Sequence, residues 1–249
     1  RFSYHLLSDT SDETIAAAEE REVASWRTAR PDAAARVHYR RRLDNTGFKA
    51  GNVREFCARC AEDYEAMIVL DADSYMRADA VLQLARIAEA YPKIGILQSL
   101  VVGAPSRSAF ARLFQFGMRA GMRSYTAGAA WWTADCGPFW GHNALVRIRP
   151  FLDHCDLPTL RGRPILSHDQ LEAALMRAAG HEVRVLPVER GSFEENPPDM
   201  VEFSNRDLRW CQGNMQYWRL VGLPGLLPVS RFQLAWAISM FISLPASQI

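Results

Sequence analysis

The chain has 249 residues, 49% of them hydrophobic, which is enough for one large domain with a substantial core. Its formal net charge is +1, from 29 Lys plus Arg against 28 Asp plus Glu, so there is no bulk electrostatic case for nucleic acid as a partner. The odd set Cys57, Cys60, Cys136, Cys155 and Cys211 is no disulfide framework and fits a reducing compartment better.

Extended and helical patterns alternate along the chain, which predicts an α/β fold around a mostly parallel central sheet. Residues 2–7 read as a strand, and Thr10-Ser11-Asp12-Glu13 as a capping box opening an Ala- and Glu-rich helix. Residues 37–40 read as a short strand, 52–62 as a helix, 66–70 as a buried strand, 78–90 as a helix and 94–97 as a strand. Residues 106–125 have a helical apolar face at Phe110, Leu113, Phe114 and Gly117, while 129–140 are aromatic-rich without a clear period. Further on, 143–148 read as extended and Ser167-His168-Asp169-Gln170 as a second capping box opening a helix to about 179. Residues 183–186 read as a strand, and 202–220 as an amphipathic helix. The apolar run 232–244 is about 13 residues, short of the roughly 20 that span a bilayer. Both ends are expected to be cuts through a longer protein.

Leu70-Asp71-Ala72-Asp73 is the strongest single feature. Side chains two apart on an extended segment point the same way, so a strand ending in Asp-x-Asp delivers two carboxylates to one spot. In open α/β sheets ligands bind at that carboxyl edge, and two hard oxygen ligands with substrate phosphates suit Mg²⁺ or Mn²⁺. The plain alternative is an acidic turn. Ser8-Asp9 repeats the pattern more weakly. Lys49-Ala50-Gly51-Asn52, just ahead of the expected helix, can bring Lys49 to a phosphate or base, or be a turn with a solvated Lys. Tyr39-Arg40-Arg41-Arg42 reads as a solvated cationic face, or one turned to anionic lipid.

Asp169 falls in a first helical turn, where the helix dipole keeps a carboxylate ionised. It is a general-base candidate, or simply a dipole-complementing acid. Arg206 and Arg209 are three apart on a helix with Trp210 beside them. Guanidinium suits phosphate and an indole face suits a sugar ring, while the same residues also suit a membrane interface. Cys57-Ala58-Arg59-Cys60 lacks further zinc ligands and reads as structural.

Taken in order, Ser8-Asp9, Lys49 to Asn52, Asp71-Ala72-Asp73, His168-Asp169 and Arg206-x-x-Arg209-Trp210 resemble the processive family 2 glycosyltransferases of the cellulose- and hyaluronan-synthase type. The closer resemblance is to the bacterial branch that makes osmoregulated periplasmic glucans. It is carried by Val69 to Ser74, Trp140-Gly141-His142-Asn143-Ala144, Ile165 to Asp169, Glu172 to Met176, Glu194-Glu195-x-Pro197-Pro198 and Arg206 to Asn214. The resemblance implies a GT-A, Rossmann-like domain over residues 1–228, lacking its first strand upstream of Arg1. An interface helix at about 202–220 and the start of a transmembrane segment at 229–249 would follow.

The implied reaction is inverting transfer from UDP-glucose, with Mg²⁺ or Mn²⁺, to a β-1,2-linked glucan. The implied setting is the cytoplasmic side of a bacterial inner membrane, with membrane lipid and a periplasmic-glucan assembly partner as neighbours. Asp9 and Lys49 would hold the donor nucleotide. Asp71 and Asp73 would serve metal and diphosphate, and Asp169 would be the base. Trp140, Gly141, His142, Asn143, His168, Arg206, Arg209 and Trp210 would line the acceptor side. Segment 158–164 is shorter than the family pattern leads one to expect. The rivals are a His-Asp phosphohydrolase, for which the six histidines lack close ligand spacing, another processive family 2 synthase, and a catalytically silent scaffold.

Overall fold

The computed structural model describes residues 2–246, with side chains to residue 243. Two compact units divide the chain, residues 1–60 and 61–249.

In the first unit, strand β1 (Tyr4–Ser8) leads to helix α1 (Glu13–Ala29), strand β2 (Val37–Arg41) and helix α2 (Phe48–Cys60). β1 and β2 pair in parallel, Tyr4 opposite Val37 and Ser8 opposite Arg41. The expected capping box is absent. Asp12 is the cap, its carboxylate accepting from the N–H groups of Thr14 and Ile15, so Glu13 is already helical. Helix α2 starts four residues earlier than the pattern predicts, at Phe48, so Lys49 and Gly51 lie inside it. The turn into it is made by Gly47 and Phe48, with φ of 73° and 51°. The Thr46 carbonyl then rests on Gly51, where a Cβ would come within 2.1 Å.

In the second unit, β3 (Ala66–Val69), β4 (Ser74–Met76), α3 (Ala78–Ala90), β5 (Ile94–Ser99) and β6 (Val102–Gly103) are followed by the long helix α4 (Ala109–Trp132). Then come β7 (Ala144–Arg147), α5 (Ile148–His154), α6 (Asp169–Ala178), β8 (Glu182–Leu186), β9 (Ser192–Glu194), α7 (Met200–Met215) and α8 (Pro228–Ala246). The main sheet has the order β3-β7-β5-β8. Strands β3, β5 and β8 run the same way and β7 runs against its neighbours. The expectation of a mostly parallel sheet holds with that one reversal. Its consequence is local: the start of β7 lies beside the ends of β3 and β5, the edge where α/β sheets bind ligands. A second sheet, β4-β9-β6, sets Ser74 opposite Glu194.

The core under the main sheet is Leu84, Ala88, Ile94, Leu97 and Leu145. A second cluster packs α6 against α8 through Leu171, Ala174, Leu234, Ala237 and Ile238, with Tyr217 and Leu220 from the turn after α7. Residues 230–238 of the expected membrane segment therefore place Leu234, Ala237 and Ile238 against protein, while 247–249 lie outside the described residues. Among the described residues no helix is long and apolar enough to cross a membrane.

The contact at Gly51 decides the sign of a substitution. In a helix interior Ala is favoured over Gly by about 1 kcal/mol. Gly51→Ala instead drives its methyl into a backbone carbonyl, which cannot swing aside as a flexible side chain would. The variant is expected to melt at a lower temperature than the parent chain. A rise in thermal midpoint would refute the close approach.

Candidate active site

Segment 140–143 leads into β7 and is clamped by buried polar groups. Asn143 is fully buried with φ of 50°. Its N–H donates to the Val69 carbonyl (2.7 Å), and its carbonyl accepts from Ser99 Oγ (2.6 Å). Its Nδ2 donates to Ser192 Oγ (2.8 Å) and the Phe193 carbonyl (3.1 Å). Gln98, also fully buried, accepts from the Trp140 N–H (2.9 Å) and donates to the His142 carbonyl (3.0 Å). Asn143 thus belongs to the scaffold. Its Nδ2 is bonded to Ser192 and Phe193, and its Oδ1 lies 3.1 Å from His142 Nδ1.

Asp71 and Asp73 do not lie on an extended strand. They occupy the turn after β3, where the Asp71 carbonyl accepts from the Ser74 N–H (3.0 Å) and the Asp73 carbonyl from the Glu195 N–H (2.9 Å). The segment is a turn tied to β9, so strand alternation does not set the two carboxylates. Ser74 Oγ lies 3.2 Å from His142 Nδ1, so the acidic turn touches the clamped segment. His142 Nε2 faces Glu194 Oε2 at 3.8 Å, and Glu194 Oε1 lies 3.4 Å from Arg206 Nη1. The Arg206 guanidinium sits 4.7 Å above the Trp210 ring. Arg206 rather than Arg209 therefore partners the indole, because residues four apart on α7 stack. Arg209 is exposed. Burial pushes the Glu194 carboxyl above its usual range. His142 and Arg206 pull it down, and Asp73 and Asp71 push it up again.

Asp169 opens α6, but Ser167 does not cap that helix. The cap position is His168, whose backbone is helical and whose side chain makes no capping bond. His168 Nδ1 instead lies 3.1 Å from Asp169 Oδ1 and 3.1 Å from Glu172 Oε1. Glu172 is 3% exposed and went unassigned in the sequence. Its signal was a carboxylate four residues after a histidine in an otherwise apolar turn. Among the described residues, these three form the one His/Cys/Asp/Glu group close enough to share a metal. His168 Nδ1 thus sits between the Asp169 and Glu172 carboxylates. Asp169 lies directly over Gly141, where φ is +82° and a Cβ would come within 2.2 Å of Oδ1. On the far side of the helix start, Tyr217 donates to the Ser167 carbonyl (2.7 Å). Burial, followed by the charges of Asp169 and Glu172, holds its hydroxyl well above the ordinary 10.0.

In the first unit, Asp9 meets Asn52 and Arg42, a contact the sequence did not predict. Asp9 Oδ1 accepts from Arg42 Nε and Asn52 Nδ2, each at 2.8 Å, and Oδ2 accepts from Arg42 Nη2 at 2.8 Å. Lys49 lies in the same unit, half-buried in the first turn of α2. The Arg40 to Arg42 run is neither a solvated nor a lipid-facing patch. The Arg42 side chain is 9% exposed, and the three arginines pair with Glu55, Glu13 and Asp9. Cys57 is fully buried in α2, in keeping with a structural cysteine.

Residues 66–248 match the family described as Glycosyl transferase family group 2. The chain belongs to that family. It is 42% identical over 250 residues to glucans biosynthesis glucosyltransferase H of Bradyrhizobium diazoefficiens, covering 98% of this chain and 33% of that protein. The protein of the same name from Xylella fastidiosa is 41% identical over 249 residues, covering 98% and 39%. The chain thus spans between about a third and two fifths of the length of these relatives. Among solved structures, S. aureus TarS 1-349 in complex with UDP-GlcNAc superposes with a TM-score of 0.52 at 13% identity, over 97% of this chain and 62% of that one. The same protein with UDP gives 0.50 at 13% identity, over 97% and 61%. These likenesses show the GT-A type of α/β fold. Family membership displaces the phosphohydrolase alternative.

The raised pKa of Glu194 fixes a pH dependence for this family 2 chain. Above its unfolded value, near the ordinary 4.5, the unfolded chain releases the proton while the folded chain retains it. In that window the folded state binds more protons, so stability falls as pH rises. Glu194→Gln removes the titration. The expected result is a smaller loss of stability from pH 4.5 upward in urea unfolding. A slope identical to the parent's would mean the carboxyl titrates normally.

Proposed function

We propose that this chain is the catalytic domain of an inverting glucosyltransferase that moves glucose from UDP-glucose to a growing β-1,2-glucan, the backbone of osmoregulated periplasmic glucans, at the cytoplasmic face of a bacterial inner membrane. The observation that carries the reading is the strip Gly141–His142. It meets the Asp169 carboxylate at one end and, through Ser74, the Asp71–Asp73 turn at the other. A proton acceptor and a pair of hard oxygen ligands are thereby held on one short, clamped piece of backbone.

In this reading Asp169 takes the proton of the acceptor hydroxyl as its oxygen bonds to C1 of the glucose. The C1–oxygen bond to UDP breaks on the opposite face, so the anomeric centre inverts. Gly141 spares the carboxylate a collision, since any side chain there would lie on it. His168 lies 3.1 Å from both Asp169 and Glu172, beside the base and on the acceptor side. Asp71 and Asp73 fit a divalent cation, Mg²⁺ or Mn²⁺, by their all-oxygen chemistry and their position in one tight turn. Such an ion supplies Lewis-acid neutralisation of charge growing on the leaving diphosphate. Arg206, with Trp210, offers a cation and an aromatic surface to the acceptor side, and Arg209 an exposed second cation.

Residues 229–249 continue toward a membrane segment in this proposal. Exposed Trp218, Phe232 and Trp236 after α7 and on α8 support contact with lipid headgroups. An assembly partner for periplasmic glucan would act on the same full-length protein.

Replacing a base and replacing a diphosphate-side acid have opposite signatures. Asp169→Asn in the full-length protein is expected to lower UDP release by about 10²- to 10⁴-fold while leaving UDP binding intact. Asp73→Asn is expected to weaken Mg²⁺-dependent UDP binding itself. The measurements are UDP release from UDP-glucose and calorimetric UDP titration. Asp169→Asn activity within about threefold of the parent would remove Asp169 as base.

A further inference from the structure

Glu194 has no part in the reaction just described, yet it lies where the donor side and the acceptor side meet. It sits on β9 directly across from Ser74, the residue after Asp73, and the next peptide N–H holds the Asp73 carbonyl. Its side chain is 20% exposed and faces two basic side chains. One is His142, 12% exposed, whose other ring nitrogen faces Ser74. The second is Arg206, 16% exposed, which rests on Trp210.

Two physical facts make this arrangement a device rather than a packing accident. The first is its cost: a carboxylate partly withdrawn from water, with Asp71 and Asp73 near enough to oppose its charge, is a poor choice for stability alone. The second concerns what Arg206 has to hold it. Its Nε is buried with no hydrogen-bond partner, and its one ion pair among the described residues is with Glu194. An arginine has many rotamers, and a ring face alone leaves it free to slide. Glu194 is the charge that stops the slide.

Building on the glucosyltransferase reading, we infer that Glu194 is a positioning residue: it pins Arg206 on Trp210 and, through His142, ties that acceptor-side pair to the Asp71–Asp73 turn. The link runs Ser74, His142, Glu194, Arg206, Trp210, across β4, the clamped segment, β9 and α7. A shift of the acidic turn is thereby felt at the acceptor surface without any residue of the link touching the reacting atoms.

The test uses the full-length protein and compares the parent, Glu194→Gln, Arg206→Lys and the double variant. Glu194→Gln keeps size and removes charge. It is expected to lower turnover of UDP-glucose by about tenfold or more while UDP affinity stays within about threefold. Its thermal midpoint should match or exceed the parent's, because the disfavoured charge is gone. In the double variant the Gln substitution should add nothing to the loss caused by Arg206→Lys, since the two residues act as one unit. A purely structural role predicts a lowered midpoint and multiplied losses, and either result overturns the inference. So does unchanged turnover in Glu194→Gln beside an active parent. An inactive parent refutes the glucosyltransferase reading first, and this inference with it.

Discussion

Asn143 is the node on which the second unit depends. It is wholly buried and left-handed, and it bonds to the end of β3 through its N–H, to β5 through its carbonyl and to β9 through its amide. One residue thus joins the four-stranded sheet to the three-stranded one. Such a network is stable only when complete, because a buried amide left half-satisfied costs more than an apolar side chain in its place. Gln98 and Ser99 complete it from β5, and Ser192 from β9. The backbone from Trp140 to Asn143 has little freedom as a result, and everything placed on it inherits that rigidity.

The site inherits it directly. Gly141 receives Asp169, and His142 receives Ser74 and Glu194. Both functional carboxylate groups, the base candidate and the acidic turn, are referenced to adjacent residues of one clamped segment. This is how a fold with flexible-looking loops can hold reacting partners to the sub-ångström tolerance that transfer chemistry demands. Helix α7 is brought in by a similar close approach, Gly213 lying where a Cβ would come within 2.1 Å of Ser167 Oγ. That contact lets α7 carry Arg206 and Trp210 past the start of α6.

Much of the fold was legible because its signals are local. The apolar period over 78–90 gives a helix with those bounds, and the strand ahead of Asp71 is where the apolar run puts it. Boundaries slipped where short polar residues compete for the same job. Asp12 rather than Thr10 caps α1, and His168 rather than Ser167 precedes α6, since any of several side chains can take a free N–H and local sequence does not rank them. The start of α2 was missed because Phe48 adopts φ of 51°, a conformation no apolar residue advertises.

The sequence by itself singled out the candidate residues for the chemistry: the acids at 71, 73 and 169, the arginine and tryptophan of α7, and the family they resemble in that order. It did not determine what those groups touch. The partnership of Arg206 with Glu194, the seat of Asp169 over Gly141 and the structural role of Asn143 all follow from the reversed β7 and from the pairing of β4 with β9. Those are contacts between segments far apart in the chain. Their register is set by which buried faces and hydrogen bonds can be satisfied together, a condition that exists only once the tertiary structure has formed.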